Sequence, residues 1–503
     1  MSNGFPIVLT ADRTLTADYR LLFDGMLAAS QTTTAPPVLF ERLLMPSGRG
    51  SGVRTAVAPL GLRRIEAALL DGGFSPEEVV VAGEGQLAAA IGRATRVIGV
   101  SSGEPMGLGM NSSTMTAIAG GQIYPEAMFR RLMRRIHRLN RDVSAKIVLG
   151  GPGAWQIAGD LRKREELGVD HVITGYAEEN VAAVFRSLVQ REAVPQAVPG
   201  GWSPAVPIPP IRAASTMGVV EISRGCGLGC SFCTLSRVPM VHLPPKTILA
   251  DAETNVAAGM PHVALLSEDF FRYGASGVKA DPEILLALVR SIRQIPQVGL
   301  IQIDHASVAS IAQYDDSQLQ AIHDLLVGQD ARRYVWVNVG VETASGELLK
   351  RIGATAKGTH RESELWGDFC GRQLRRLCQA KYFPMASLMI GLPGERDEDL
   401  QNTLTWVESL ADQRLAVFPV LYAPVDGTPP IAPDCLQPLH WALIRACYRL
   451  NFRWVPWFYR DQQAAAGVPL ARRMVLQLLS HGQILQWKSL LAWHQWRSRR
   501  SKS

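Results

Sequence analysis

Residues 223–235 read SRGCGLGCSFCTL, and three of the chain's seven cysteines stand there as C-x3-C-x2-C. Thiolates are soft ligands, suited to zinc or to iron–sulfur clusters. A structural zinc site closes with four ligands, usually a C-x2-C and a second pair about 12 to 20 residues away. Here the next cysteine is Cys370, and the nearest downstream histidine is His242. Cys226, Cys230 and Cys233 without a nearby fourth thiol suit a 4Fe–4S cubane with one iron left open for a substrate or cofactor. Gly225, Gly227 and Gly229 would let the loop wrap such a compact cluster. The competing reading is a zinc knuckle of the same three cysteines with His242, in a non-enzymatic metal-binding scaffold. Cys370, Cys378, Cys435 and Cys447 have no tight spacing and read as small buried hydrophobes.

The loop must be positioned by the elements around it. It follows the strand candidate GVVEIS (218–223), the first of a series continued by HVALLS (262–267), GLIQID (299–304), YVWVNVG (334–340), MASLMIG (385–391) and LAVFPVL (415–421). Amphipathic stretches such as DPEILLALVRSIRQI (281–295) lie between them. Six β/α units predict a partial barrel of the TIM type over 216–426, with functional residues where strands end. Those ends are LLSEDFFRYG (265–274), QIDHASVAS (302–310), VGVETASGELLKRIG (339–353) and MIGLPGERDED (389–399). Taken singly, E-T-x-S after a strand is often a helix N-terminus, and GLPGE is often a turn. His305 is the candidate catalytic residue of the third end; a lone His is more often structural.

A second alternating series precedes this one. VRTAVA (53–58), VVVAG (79–83), VIGVSS (97–102), KIVLGG (146–151) and HVITG (171–175) read as five strands, with helices such as PEAMFRRLMRRIHRLN (125–140) between them. That alternation predicts a doubly wound, Rossmann-like parallel sheet over 53–190, behind an N-terminal extension 1–52. Ligands of such sheets sit beyond the carboxyl ends of the strands. Ser101, Ser102, Gly107, Gly150, Gly151, Gly153 and Gly175 stand there, and the glycines allow close backbone approach to a large flat ligand. Residues 191–215 are proline-rich and read as a semi-rigid linker.

The 503 residues are 47% hydrophobic and 19% charged, which fits a globular chain of several domains. The net charge of +7 is concentrated in the tail WRSRRSKS rather than spread as a continuous footprint, so no nucleic-acid partner is expected. Sparse cysteines outside the loop fit a reducing compartment. MSNGFPIVLTADRTL has no basic leader before an apolar core, and no run of 18 apolar residues occurs, so a cytoplasmic location without a transmembrane span is expected. Residues 427–503 read as a helical C-terminal domain, with eight of the eleven tryptophans after position 365. Its stretches NFRWVPWFYRD (451–461) and SLLAWHQWRSRR (489–500) mix aromatics with Arg. They read either as a core cover with a solvated basic end or as a contact for a lipophilic or anionic substrate or for a membrane surface.

With Phe232 just before its third cysteine, the loop resembles the signature of the radical S-adenosylmethionine (SAM) superfamily. The resemblance implies a 4Fe–4S cluster on Cys226, Cys230 and Cys233 whose open iron chelates SAM. One-electron cleavage would then give a 5′-deoxyadenosyl radical, with a flavodoxin or ferredoxin as electron donor. It further implies SAM contacts at Phe232, at Ser267, Glu268 and Asp269 (the amino group), at Glu342 and Ser345 (ribose or methionine) and at Ile390 and Gly391 (adenine). The doubly wound domain ahead of the barrel resembles the cobalamin-dependent branch of that superfamily. This gives cobalamin to Ser101, Ser102, Gly107, Gly150, Gly151, Gly153 and Gly175. The chain has no D-x-H-x-x-G, so the cobalamin is expected base-off, without a lower ligand from that motif.

The activity implied is C-methylation of an unactivated carbon on a small-molecule or peptide substrate, with cobalt and the adenosyl carbon presented to one cavity. The alternatives are a cyclisation or rearrangement with the same cofactors. A methylthio-transferring enzyme would want extra cluster cysteines in the front domain, and residues 1–225 contain none.

Overall fold

The structure is a computed structural model and describes residues 3–46, 52–330, 332–354, 362, 365–424 and 430–500. The chain forms two compact units: Met1–Ser112 with Gly121–Val220 and Pro245–Pro261, and Ser113–Gly120 with Glu221–Pro244 and His262–Ser503.

The first unit is built on β1 (Ile7–Ala11), β2 (Val79–Val81), β3 (Val97–Ser101), β4 (Lys146–Gly150), β5 (His171–Thr174) and β6 (Ala197–Pro199). They form one parallel sheet in the order β2-β1-β3-β4-β5-β6. Because strand side chains alternate, each strand feeds two cores. Val8, Val80, Ile98, Ile147 and Leu149 pack on Phe129, Leu132, Met133 and Ile136 of the Tyr124–Asn140 helix. Ile7, Leu9, Val79, Val97 and Val148 pack on Leu62 and Leu69 of the Leu60–Asp71 helix and on Phe185 and Leu188 of the Val181–Val189 helix. The Tyr124–Asn140 helix starts with Pro125 in its first turn. After its last turn, Asn140 holds both the N–H and the C=O of Ala145 at 2.8 Å.

Two expectations change here. The strand beside β3 is IVLTA, inside the presumed N-terminal extension, and all five of its residues are buried. VRTAVA is not a strand. Its Thr55 N–H reaches Val81 O and its Arg54 guanidinium reaches Val79 O, while Ala58 makes a single bridge to Ser215. Within the presumed linker, Ala197–Pro199 pairs with β5 as the edge strand β6. An edge tolerates proline because no neighbour needs the missing N–H.

The barrel strands are β7 (Val219–Glu221), β8 (Ser223–Arg224), β9 (Val241–His242), β10 (Val263–Leu266), β11 (Ile301–Ile303), β12 (His305–Ala306), β13 (Val335–Glu342), β14 (Tyr382–Ile390) and β15 (Ala416–Leu421). The wall runs β11-β10-β7 in one sheet and β12-β13-β14-β15 in another, and β8 and β9 form a separate ribbon. The third barrel strand is thus broken at Asp304, so its two halves serve different sheets. The Pro282–Arg293 helix is capped by Asp281, whose carboxylate accepts from the Glu283 and Ile284 N–H groups. It buries Leu285, Leu286, Leu288, Val289 and Ile292, each worth about 1.5–3 kcal/mol of apolar burial.

Residues 438–500 form two helices, Pro438–Ala465 and Leu470–Arg500, within the same compact unit as the barrel wall rather than a domain of their own. Asn451 bonds both Val417 N and Val417 O at 2.8 Å, and Phe458 stacks on Phe383 with ring centroids 4.3 Å apart. The boundary expected at 426/427 lies outside the described residues.

Candidate active site

The three-cysteine loop leaves the barrel wall at β8 and returns at β9. Its base is closed by the antiparallel pairs Ser223↔His242 and Arg224↔Val241. Beneath it, the buried Arg224 makes a two-point ion pair with Glu221 (Nε–Oε1 2.8 Å, Nη2–Oε2 2.9 Å). Gly225, Gly227 and Gly229 all have φ near +70°, the left-handed region that disfavours a side chain. At Gly225 a Cβ would meet Pro239 O at 2.5 Å, so only glycine fits the turn.

The backbone of the cysteines is pinned from several directions. Cys226 N–H donates to Val238 O (3.0 Å), and Cys226 O accepts from Arg272 Nη1 (2.9 Å). Ser236 Oγ lies 2.7 Å from Cys230 O and 2.6 Å from Cys233 O. Ser231 Oγ donates to Ile352 O (2.6 Å), behind the fourth strand end. Cys230 is buried, and Cys226 and Cys233 are half-buried. Burial pushes the Cys226 thiol up, with Asp269 and Glu268 adding to the rise and Arg272 opposing it.

Among the described residues, no three His, Cys, Asp or Glu side chains are gathered tightly enough to share one metal ion. His242 stands at the loop base in β9, edge-on to Tyr273 at 5.4 Å. The three soft thiolates of the loop suit an iron–sulfur cluster.

Around the loop lie the other strand ends. Ser267 Oγ shares a 2.6 Å hydrogen bond with Ser223 Oγ and accepts from Asp269 N–H at 3.1 Å, so it joins the first two barrel strands. Asp269 is fully buried. Its Oδ1 accepts from Ser307 N–H (3.0 Å) and Ser310 Oγ (2.6 Å), and it works as an internal brace. Burial lifts its carboxyl to about 6 despite those bonds. Glu268, half-buried, is raised by burial, while His305 opposes the rise and Asp304 adds to it.

His305 stands at the break in the third strand. Its Nδ1 is 2.9 Å from Asp304 Oδ2, its Nε2 is 3.3 Å from Asn338 Nδ2, and 47% of its side chain is exposed. Desolvation lowers its pKa, but Asp304, Glu268 and Asp269 together outweigh that and raise it to about 9. Asp304 and Asn338 carry no motif and were not legible in the sequence; the strand break is what makes them partners of His305.

Glu342 is buried at φ +66°, where the β13–β14 register shifts between Gly340 and Glu342. A non-glycine residue there stores strain, which is common at functional sites. Ser345 is occupied locally. It accepts from Leu348 N–H as the cap of the Gly346–Arg351 helix and donates to Asp399 Oδ1 at 2.5 Å. Ile390 is fully buried. Gly391, at φ +79°, donates its N–H to Glu395 Oε2 (2.9 Å), which also meets His440 Nε2 (2.9 Å). Phe232 is buried beside the third cysteine.

In the first unit, β1 and β3 flank the point where strand order reverses, the place for a ligand in such sheets. Register Ala11↔Ser101 puts Asp12 and Ser102 next to each other, on the face shared with Thr10. Thr10 Oγ1, Asp12 Oδ2, Ser102 Oγ and the nearby Tyr19 OH are all buried without a hydrogen-bond partner among the described residues. Burial raises Asp12 to about 6. Such orphaned groups are costly and fit a polar ligand such as an amide-rimmed corrinoid.

The predicted glycines divide. An added Cβ at Gly150 or Gly175 meets almost nothing, whereas Gly151 would strike Ser101 and Ser102, Gly153 would strike Gly103 and Pro105, and Gly107 would crowd Glu126 and Ile123. At these last three positions the loops approach too closely for a side chain. Glu104, not singled out in the sequence, ties that region together through Gln156 Nε2 (2.8 Å) and Gly109 N–H (3.0 Å). A cavity of about 420 Å³ by His137, Arg141 and Asp170 opens at the amino edge of β4, away from these groups. Of the four outlying cysteines, Cys370 and Cys447 are buried as expected, Cys378 is half-buried and Cys435 is exposed.

A glycine-cradled three-thiol loop thus stands at the end of the first strand of a partial β/α barrel. Residues 220–407 match the family model of the Radical SAM superfamily, and that stretch of the chain is a radical SAM domain. Among curated relatives, the ribosomal protein uS12 methylthiotransferase RimO of Geotalea uraniireducens is 27% identical over 215 residues, 42% of this chain and 43% of that protein. RimO of a Bradyrhizobium species is 25% identical over 239 residues, 45% of this chain and 50% of that protein. The matches span half or less of the length of these relatives.

Among solved structures, the radical SAM methyltransferase TsrM from Kitasatospora setae, with cobalamin and a [4Fe-4S] cluster bound, is similar with a TM-score of 0.52 at 16% identity. The match covers 84% of this chain and 77% of that one. TsrM bound to tryptophan substrate and a SAM analogue gives the same TM-score over 83% and 73%. At that identity the likeness is one of fold.

Proposed function

We propose that the protein is a cobalamin-dependent radical SAM C-methyltransferase. The observation that carries this reading is the clamped three-cysteine loop at the first barrel strand, on a chain whose doubly wound sheet keeps unpaired polar atoms at its carboxyl edge. Cys226, Cys230 and Cys233 would hold the cluster. Glu268 would meet the amino group of SAM, Glu342 its ribose or methionine end, and Phe232, Ile390 and Gly391 its apolar surroundings. Thr10, Asp12, Ser102, Gly150 and Gly175 would face the corrinoid. The chemistry those groups supply when bound is one-electron cleavage of SAM and delivery of a methyl group to carbon.

This chain's own residues bind, orient and hold protons. Arg272 fixes Cys226 through its carbonyl, and Ser267 and Asp269 brace the second strand end beneath Glu268. His305, whose pKa Asp304 and its other carboxylate neighbours raise, would meet a substrate at the break in the third strand. The two histidines of residues 1–220 are both engaged with backbone: His137 Nε2 with Leu167 O at 2.8 Å, and His171 Nδ1 with Pro195 O at 2.9 Å. His171 also sits at the amino end of β5. This supports a base-off corrinoid without a histidine from this unit. The RimO relatives raise methylthio transfer as a second reading; the absence of any cysteine in residues 1–225 favours methyl transfer.

The test uses the full chain reconstituted anaerobically with iron, sulfide and cobalamin. It is given methyl-labelled SAM, a flavodoxin or ferredoxin donor and candidate extracts. Label in a product together with 5′-deoxyadenosine supports the reading. Deoxyadenosine without label overturns methylation in favour of rearrangement.

A further inference from the structure

The Leu470–Arg500 helix is apolar on two opposite sides. One side is buried in the fold. Trp487 stacks on Tyr448 at 5.1 Å, His494 stacks on Trp441 at 4.8 Å, and Leu476 and Leu491 are buried with them. At about 100° per residue, Met474, Leu478, Leu485 and Trp496 fall within about 40° of one another on the far side. All four are exposed, Leu478 by 74%. An apolar helix face ordinarily packs against an interior, yet only one of these two is covered.

Charge narrows the occupant of the open side. From residue 462 to 503 there is no Asp or Glu, and there are seven Lys and Arg. Of these, Lys488 borders the apolar stripe and four follow its end, whereas Arg472 and Arg473 lie toward the opposite side; Arg497 is paired with Asp434 at 3.2 Å. Toward the end, Arg497 lies over Trp493 (5.4 Å) and Arg500 over Trp496 (4.2 Å). A second copy of the same face would bring like charges together. An anionic lipid surface satisfies both features at once: acyl boundary for the Leu, Met and Trp side chains and headgroups for the basic flanks. Among the described residues no helix is long and apolar enough to cross a membrane, so the contact would lie in the plane of the surface.

We propose that the outer face of this helix docks the protein on an anionic phospholipid surface. Its 31 residues give a contact about 46 Å long. The test is co-sedimentation of the reconstituted full chain with mixed phosphatidylcholine–phosphatidylglycerol vesicles and with phosphatidylcholine alone. Leu478→Glu/Leu485→Glu serves as the variant, with its melting curve as the check on folding. Binding should favour the mixed vesicles, weaken with added salt, and fall about tenfold or more in the variant at an unchanged melt. Equal partitioning of wild type and variant would overturn the proposal. So would a lack of preference for phosphatidylglycerol, or a dimer broken by the same substitutions without vesicle binding. Should the variant melt early, Met474→Glu/Trp496→Glu, also on the exposed stripe, replaces it, with the same expected loss and the same refuting result.

Discussion

Gly225→Ala probes the cradle around the three thiols, and Gly229→Ala is its internal control. Gly225 sits at φ +73°, and an added Cβ would lie 2.5 Å from Pro239 O and 2.6 Å from Val238 O. The left-handed backbone costs an alanine roughly 1–2 kcal/mol. Contact with backbone carbonyls that cannot rotate aside adds about 1–3 kcal/mol. Relief would have to move Cys226, whose N–H donates to Val238 O at 3.0 Å. Gly229 has φ +70°, but its Cβ would meet nothing within 4 Å, so only the backbone cost applies. The difference of about 1–3 kcal/mol corresponds to roughly 5- to 150-fold in the population of the ligating loop conformation. The assay is iron and sulfide per chain after anaerobic reconstitution at limiting iron. Gly225→Ala should load worst, with Gly229→Ala between it and wild type. Equal loading, or the reverse order, refutes the cradle.

Two further outcomes follow from the strand ends. The folded protein holds the His305 pKa at about 9 against an ordinary 6.5, so its charged form is favoured by folding. Its contribution to stability is full below pH 6.5 and is lost as pH rises through about 9. The gap in urea midpoint between wild type and His305→Gln should shrink over that window, and a constant gap would contradict the ion cluster. Ser345→Ala removes a helix cap and one hydrogen bond to Asp399. It should lower stability by about 1–2 kcal/mol while SAM affinity changes less than about twofold. A large affinity loss at unchanged stability would make the hydroxyl a ligand contact.

The cysteine loop was legible because thiols are rare and their spacing is local. The strands at 79–81, 97–101, 146–150 and 171–174 were legible from short β-branched runs closed by Gly or Ser. β1 was not, because PIVLTA is followed by a single four-residue helical turn, Arg13–Thr16, rather than by a long amphipathic helix, while VRTAVA has strand composition but no ladder partner. That miss hid Thr10 and Asp12, the residues beside Ser102 at the strand-order reversal. Residues defined by long-range geometry were also hidden: Arg272 under Cys226, Asp304 and Asn338 around His305, and the Glu395–His440 pair behind Gly391. Ser345, Asp269, Gly151 and Gly153 have types that suit ligand contact, and the sequence did not show the distant neighbours that also touch them: Asp399, Ser310 and the 101–105 loop.

The account rests most on one cluster held by Cys226, Cys230 and Cys233. Metal and sulfide analysis with EPR, on anaerobically reconstituted wild type and on the Cys226→Ala/Cys230→Ala/Cys233→Ala variant, tests it most directly. The wild type should carry about four irons with sulfide and a reduced-cluster signal, and the variant should lose all three. Stoichiometric zinc in the wild type, or iron retained by the variant, would contradict it.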